Sequence, residues 1–156
     1  MSRYIRPSRP GATLFFTVVL ATRGSDLLVR EIEALRQAVR ATRAERPFGI
    51  DAWVVLPDHM HCVWTLPERD SDFSTRMAAI KARFTRGVRR AGFSPPSTLP
   101  VVQSGRYAGL KPGLRLGKRE VAVWQRRFWE HHIRDDSDWA NHIRPHSPSK
   151  SLISLS

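Results

Sequence analysis

Two histidines, His59 and His61, are the residues of this sequence best suited to chemistry. They stand two residues apart in the run LPDHMHCVW, at the start of a predicted strand. Because side chains alternate along a strand, both imidazoles lie on one face, roughly 6–7 Å apart along the chain. Two nitrogens there can converge on one divalent ion, which would polarise a phosphate oxygen. Met60 and Cys62 then face the core. The alternative is a pair of surface histidines, because His-x-His is a short motif.

The basic charge of the chain is concentrated in one stretch. The 156 residues include 26 Lys and Arg against 14 Asp and Glu, a net charge of +12. Thirteen basic residues and one acidic residue, Glu120, lie between Arg76 and Arg127, so this stretch carries the whole excess. One arginine side chain can bind two phosphate oxygens at once and can stack on a base, so the excess of arginine predicts a nucleic-acid partner. The alternative is a solvated loop in an arginine-rich protein.

Composition narrows the class of protein. A hydrophobic content of 41% supports one folded domain rather than a disordered chain. No run approaches the roughly 18 apolar residues of a membrane span, and the first residues lack the apolar stretch of a secretory signal. The single cysteine, Cys62, excludes an intrachain disulfide framework. We therefore expect a cytoplasmic, nucleoid-associated protein with no membrane contact, as a monomer or weak dimer.

The elements that must position the histidines follow from periodicity. Strands are predicted over 13–20, 48–56, 61–66 and 128–133, and helices over 26–45, 72–90 and from about 135 until Pro145 ends the third. The order β-α-β-β-α-β-α predicts an α+β, ferredoxin-like (RRM-like) sandwich, one antiparallel sheet with helices on one face. Residues 1–12 are interpreted as a basic arm and 91–122 as a long basic loop.

The segment around the histidines resembles a known family. Residues 52–67, AWVVLPDHMHCVWTLP, closely resemble the signature of the REP-associated tyrosine transposases, which are single-tyrosine members of the HUH (His-hydrophobic-His) endonucleases. FFTV at 15–18, FSTR at 73–76 and VWQRRFWEH at 123–131 look like the same family. The resemblance covers roughly residues 4 to 142 and implies a catalytic domain over 1–143.

The resemblance also implies an activity. Mg²⁺ or Mn²⁺ would be held by His59 and His61, and the partner would be single-stranded or hairpin DNA with palindromic repeats. Cleavage and strand transfer, which carry out DNA transposition, would pass through a 5′-phosphotyrosine bond formed by a tyrosine on the last helix. A phenol is a weak nucleophile near neutral pH, so the metal must activate the phosphate.

The end of the chain departs from the family pattern. The position expected for the nucleophilic tyrosine is Pro145, and the polar position one turn later is Ser149. Residues 144–156 form a Ser/Pro-rich, divergent tail that we expect to be disordered, such as a frameshift or decayed gene copy would produce. The two tyrosines are Tyr4 in the arm and Tyr107 in the loop. Tyr107 is a weak substitute, so impaired catalysis is expected; the alternative is a non-catalytic hairpin or single-stranded DNA-binding protein.

Other residues are assigned to DNA contact or to the core. His131 matches a family position and would flank the site, or else be a packed strand histidine. The tryptophans, Trp124 included, are mostly interpreted as core residues, and base stacking is the alternative for Trp124. His142 is expected at the surface. In the second helix an apolar face is predicted, with Arg76 among the residues on the other faces. The predicted phosphate contacts are Arg83, Arg86, Arg90, Arg126, Arg127, Arg3 and Arg6.

Overall fold

Four strands form one antiparallel sheet in the spatial order β2-β3-β1-β4. The structure, a computed structural model, describes residues 9–92 and 122–143. The predicted α+β, ferredoxin-like arrangement is confirmed. Most of the predicted arm and loop and the whole tail 144–156 lie outside the described residues. The elements are β1 Thr13–Val19, α1 Leu27–Arg30, α2 Ile32–Glu45, β2 Gly49–Val55, β3 His59–Thr65, α3 Phe73–Arg90, β4 Trp129–His132 and α4 Asp136–Ile143.

The two central strands, β1 and β3, bury one face completely. Apolar side chains at every second position of each strand are at most 1% exposed. Fully burying one such side chain contributes about 1.5–3 kcal/mol, so this face holds the sheet in register. The predicted inward orientation of Met60 and Cys62 is confirmed. The six residues are Leu14, Phe16, Val18, Met60, Cys62 and Trp64.

Helices α2 and α3 cover that buried face. The Asp72 carboxylate accepts a hydrogen bond from the Thr75 backbone N–H (2.9 Å) and so caps α3. Gly87 lets α3 approach α2 closely, since a Cβ there would lie 3.4 Å from the Cβ of Ala34. The predicted apolar face of α3 is confirmed, because Phe73, Met77, Ile80, Phe84 and Val88 are all buried. None of the helices in the described part of the chain is long and apolar enough to cross a membrane.

Two element boundaries differ from the sequence prediction. The first predicted helix is interrupted at Glu31, whose backbone angles (φ −103°, ψ 33°) are not helical, so it divides into α1 and α2. Strand β3 begins at His59 rather than at residue 61, because His59 pairs with Val19 of β1.

Helix α4 differs from the expectation that all helices share one face. Its residue His142 contacts the ring of Phe15, with centroids 5.0 Å apart. Phe15 alternates with Leu14 and Phe16, whose side chains face α2 and α3, so it points to the opposite face. The sheet therefore lies between the α2–α3 pair and α4. Helix α4 covers its face of the sheet only in part, since Trp129 there is 52% exposed, and we call this face the open face.

Arg76 is buried in the fold, and its predicted place on an outer face of α3 is wrong. It is 2% exposed, and its guanidinium donates to the Asp70 carboxylate (2.7 Å). It also donates to backbone carbonyls that end α2 and begin α3, namely those of Arg46 (3.3 Å), Pro47 (2.9 Å) and Asp72 (2.7 Å). This fork joins the two helices that cover the core.

Replacing Arg76 with leucine should lower the free energy of unfolding by about 3 kcal/mol, because several buried acceptors lose their donors. Lysine should not restore the loss, since one ammonium cannot reach the same acceptors. Urea unfolding monitored by circular dichroism measures the change. Arg86→Leu, at an exposed position of the same helix, is the matched control. A loss in Arg76→Leu no larger than the control's would contradict the structural role.

Asp70 should make stability depend on pH in acid. The hydrogen bond from Arg76, followed by that from the Asp72 N–H, holds the pKa of Asp70 below its ordinary value of 3.8. A lowered folded-state pKa means that the stabilisation is present above about pH 3.8 and is lost as the pH falls below it. Asp70→Asn should therefore destabilise the protein at neutral pH, and its difference from wild type should shrink below pH 4. A difference that is constant with pH would argue against the pair.

Candidate functional site

His59 and His61 lie side by side on the open face at the start of β3. Their ring centroids are 5.1 Å apart and their planes nearly perpendicular, at 83°. Both are half-buried, whereas Met60 between them is 0% exposed. The prediction that the two imidazoles share one face is confirmed.

Each imidazole is held through its Nδ1 atom. His59 Nδ1 lies 2.7 Å from Asp58 Oδ1, and His61 Nδ1 lies 2.9 Å from Thr17 Oγ1. In protein metal sites a hydrogen bond at one ring nitrogen sets the tautomer and turns the other nitrogen toward the metal. The donor set therefore fits a divalent ion presented with the two Nε2 atoms. Sequence reasoning missed both partners, although Asp58 directly precedes the motif and Thr17 alternates with a buried residue.

Asp58 is the anion that orients His59. The hydrogen bond with His59 and then that from the Gly24 N–H (2.9 Å) hold the pKa of Asp58 below its ordinary value. Arg23 lies 3.6 Å from the same carboxylate. A carboxylate that stays ionised near neutral pH accepts the Nδ1 proton of His59, which leaves Nε2 with a lone pair for a metal.

A second group of ligand-type side chains links β4 to α4. His131 Nε2 lies 2.9 Å from Asp138 Oδ2, and His142 Nδ1 lies 3.1 Å from Asp138 Oδ1. The pKa of Asp138 is lowered, chiefly by the hydrogen bond from His131. The three ligand atoms lie within 4.8 Å of one another, close enough to hold a metal ion. His142 was expected at the surface, and that is wrong: its side chain is 23% exposed and stacks on His131.

Phe15 connects the two histidine groups. Its ring stacks on His61 with centroids 5.5 Å apart and touches His142 at 5.0 Å. One aromatic ring therefore separates the end of α4 from the histidine pair. Pro145 and Ser149, the positions that the family pattern assigns to the tyrosine and the polar residue, lie outside the described residues, as does Tyr107.

The predicted arginine contacts fall into two places. Arg83 is ion-paired with Glu45 and donates to Thr42 Oγ1 (2.8 Å), and with Arg86 and Arg90 it lines a shallow groove between α2 and α3. The sheet separates this groove from the histidines.

The second place is at the histidine end of the sheet. Arg126 and Arg127 are exposed beside the end of β1, where the Gln125 N–H bonds the Val19 carbonyl (3.0 Å). Val19 pairs with His59, so this end of the sheet carries both the arginines and the histidine pair. Arg3 and Arg6 lie outside the described residues.

Of the tryptophans interpreted as core residues, Trp124 is buried and Trp129 is not. Trp124 is 6% exposed, and its indole N–H donates to the Lys81 carbonyl (3.2 Å), so it is not open to a base. Trp129, expected in the core, is 52% exposed on the open face. Periodicity missed this because β4 is an edge strand whose open face is only partly covered.

Comparison with known proteins places these features in a family. An Escherichia coli (strain K12) protein, the REP-associated tyrosine transposase, is 42% identical over 143 residues, covering 92% of this chain and 68% of its own. The chain belongs to the REP-associated tyrosine transposases. A Haemophilus influenzae protein of the same family name is 38% identical, covering 92% of this chain and 72% of its own. No protein-family model matches the chain.

A solved structure supports the same assignment. The structure of a REP-associated tyrosine transposase bound to a REP hairpin has a TM-score of 0.68 and 40% identity, and covers 92% of this chain and 68% of its own. In this chain, the histidine pair lies on the open face and is linked to α4 through Phe15. The resemblance drawn from the sequence motifs is therefore confirmed.

Asp58 should matter for metal binding without itself being a ligand. Asp58→Asn removes the charge that holds His59, and loss of such a partner weakens metal affinity about 10–100-fold. Titration with Mn²⁺ followed by calorimetry measures the affinity. Asp51→Asn, an exposed aspartate on β2, is the control and should bind as wild type. Equal affinities for Asp58→Asn and wild type would show that the hydrogen bond does not orient a ligand.

Proposed function

We propose that this protein binds hairpin DNA with unpaired flanking nucleotides across the open face, with a divalent metal ion at His59 and His61, and that it is impaired in the phosphotyrosine step. The observation that carries the proposal is the oriented pair, His59 held by Asp58 and His61 by Thr17, on the face that α4 covers. The hairpin substrate is supported by the relative whose structure holds a REP hairpin.

Donor chemistry favours Mn²⁺ over Mg²⁺ at this pair. Imidazole nitrogen suits the first-row transition metals, whereas Mg²⁺ prefers oxygen ligands and keeps several waters. A site with two imidazole ligands would therefore bind Mn²⁺ more tightly than Mg²⁺. When bound, either ion supplies Lewis-acid polarisation of a phosphate oxygen.

The arginines support binding of a hairpin rather than of a short strand alone. Arg126 and Arg127 lie at the histidine end of the sheet, where they can hold phosphates next to the metal. Arg86 and Arg90 line a groove on the far side of the sheet. A folded DNA substrate that reached both places would span the helix layer and the sheet. Arg83 is the weakest of these contacts, because Glu45 and Thr42 already engage it.

The missing phenol supports impaired cleavage. The family position of the nucleophile is Pro145, which carries no hydroxyl and cannot continue a helix. Attack on a phosphate needs near in-line placement, which Tyr107 would have to reach without the family helix. Slow hydrolysis by water is the remaining route. The second candidate function, a non-catalytic binder of hairpin or single-stranded DNA, is favoured by the same proline. Either function places the protein with the chromosome in the cytoplasm.

A labelled hairpin with unpaired flanks, incubated with the full chain and Mn²⁺, tests both candidates. We expect binding that weakens about tenfold or more between about 50 and 200 mM salt. We expect no covalent protein–DNA adduct on a denaturing gel. An unstructured strand of the same length is the control for hairpin preference.

Three results would contradict parts of the proposal. Equal affinity for the hairpin and the unstructured strand would show that the protein does not recognise the hairpin. An adduct in wild type that disappears in Tyr107→Phe would show that a tyrosine of the loop replaces the missing one, and catalysis would be intact. A third comparison concerns the metal: a Mn²⁺-dependent thermal shift unchanged in the His59→Ala, His61→Ala double variant would exclude the histidine pair as its site.

A further inference from the structure

Trp129 presents an open aromatic surface on the face of the sheet that carries the histidines. It is 52% exposed, whereas the aromatic residues of the core are buried. The indole lies edge-on to Phe15, with centroids 5.8 Å apart, and nearly parallel to His131, at 4° and 5.7 Å. His142 lies nearly parallel as well, at 20° and 6.1 Å. Three rings thus support one part of the indole while about half of its surface stays open.

Register places this surface in line with the metal ligands. Thr17 of β1 pairs with His61 on one side and with Trp129 on the other. Directly paired residues on neighbouring strands point to the same face, and each strand spacing is about 4.8 Å, so Trp129 lies about 10 Å from His61 across β1. If a DNA phosphate lies at the histidines, the base of the adjacent nucleotide can therefore reach the indole of Trp129.

The charge around Trp129 suits a polyanion. Arg126 and Arg127 precede it and Arg134 follows β4, and all three are exposed. Of the nearby acidic residues, Glu130 is buried and the Asp138 carboxylate is hydrogen-bonded to His131. An aromatic face with a cationic border is the usual arrangement for holding unpaired bases, because the ring stacks on a base while the arginines hold the backbone. A protein partner would need a broad apolar surface, whereas Trp129 and Val29 are the exposed large hydrophobic residues of the described chain.

We propose that Trp129 stacks on an unpaired nucleobase that flanks the phosphate held at His59 and His61. The proposal rests on the proposed function and adds to it the recognition of the single-stranded flank. Trp129 is a positioning residue, since it contacts a neighbouring base and no reacting atom. The hydrogen bonds of Asp138 with His131 and His142 hold the rings behind the indole in place before DNA arrives.

The experiment compares two hairpins that share one stem. One carries an unpaired flank with 2-aminopurine at successive positions, and the other is blunt-ended. Binding is measured by fluorescence anisotropy in EDTA, so that the result does not depend on a metal. Trp129→Ala should weaken binding of the flanked hairpin about tenfold, within the range for loss of one stacked base. It should leave binding of the blunt hairpin within twofold of wild type.

The fluorescence of 2-aminopurine gives a readout that a merely structural role would not move. Wild type should quench the probe at one flank position, Trp129→Ala should not, and Trp129→Phe should restore both the quenching and most of the affinity. Val29→Ala, at the other exposed apolar position, should behave as wild type. Melting temperatures of all variants show whether each one is folded.

The outcomes separate this inference from the proposed function. If wild type binds both hairpins but Trp129→Ala binds the flanked hairpin equally well, the stacking inference is overturned and the proposed function stands. If Trp129→Ala loses both hairpins equally, the residue supports the fold rather than a base, and the inference is also overturned. If wild type binds neither hairpin in EDTA and neither hairpin with Mn²⁺, the proposed function fails and this inference fails with it.

Discussion

Side chains alternate between the two faces of the central strands β1 and β3, and this alternation sets which residues form the core and which form the candidate site. Burial of Met60 and Cys62 beneath α2 and α3 obliges His59 and His61 to face the other way. A slip of one residue between β1 and β3 would drive both imidazoles into an apolar core and expose the residues that stabilise it. The positions of the histidines on the open face are therefore fixed by packing of apolar side chains on the opposite face.

The open face is organised by polar contacts where the core is organised by apolar ones. Asp58 and Thr17 hold the histidine pair, and Asp138 holds His131 and His142, so α4 is attached to the sheet through a carboxylate and aromatic rings. Such contacts are directional, and they orient rings more sharply than apolar packing does. They suit a surface whose task is to place ligands and bases. Phe15 touches both groups and keeps α4 beside the pair.

The arginines have more than one role, although composition treats them alike. Arg76 is buried, and its guanidinium joins α2 to α3 through hydrogen bonds to backbone carbonyls, so it cannot contact DNA. Arg83 is engaged by Glu45. Among the exposed arginines predicted to contact DNA, Arg126 and Arg127 lie at the histidine end of the sheet, whereas Arg86 and Arg90 line the α2–α3 groove. A net charge of +12 therefore overstates what is available to DNA at any one surface.

Local periodicity and contiguous motifs were enough to predict the fold class, the shared face of His59 and His61, the burial of Met60 and Cys62, and the family. Four features could be seen only in the folded chain: Arg76 is buried, α4 lies on the open face, Trp124 is covered and Trp129 is exposed. These depend on which side of an edge strand or helix another element occupies. That is set by contacts between residues distant in the chain, such as Phe15 with His142, and no local pattern encodes them.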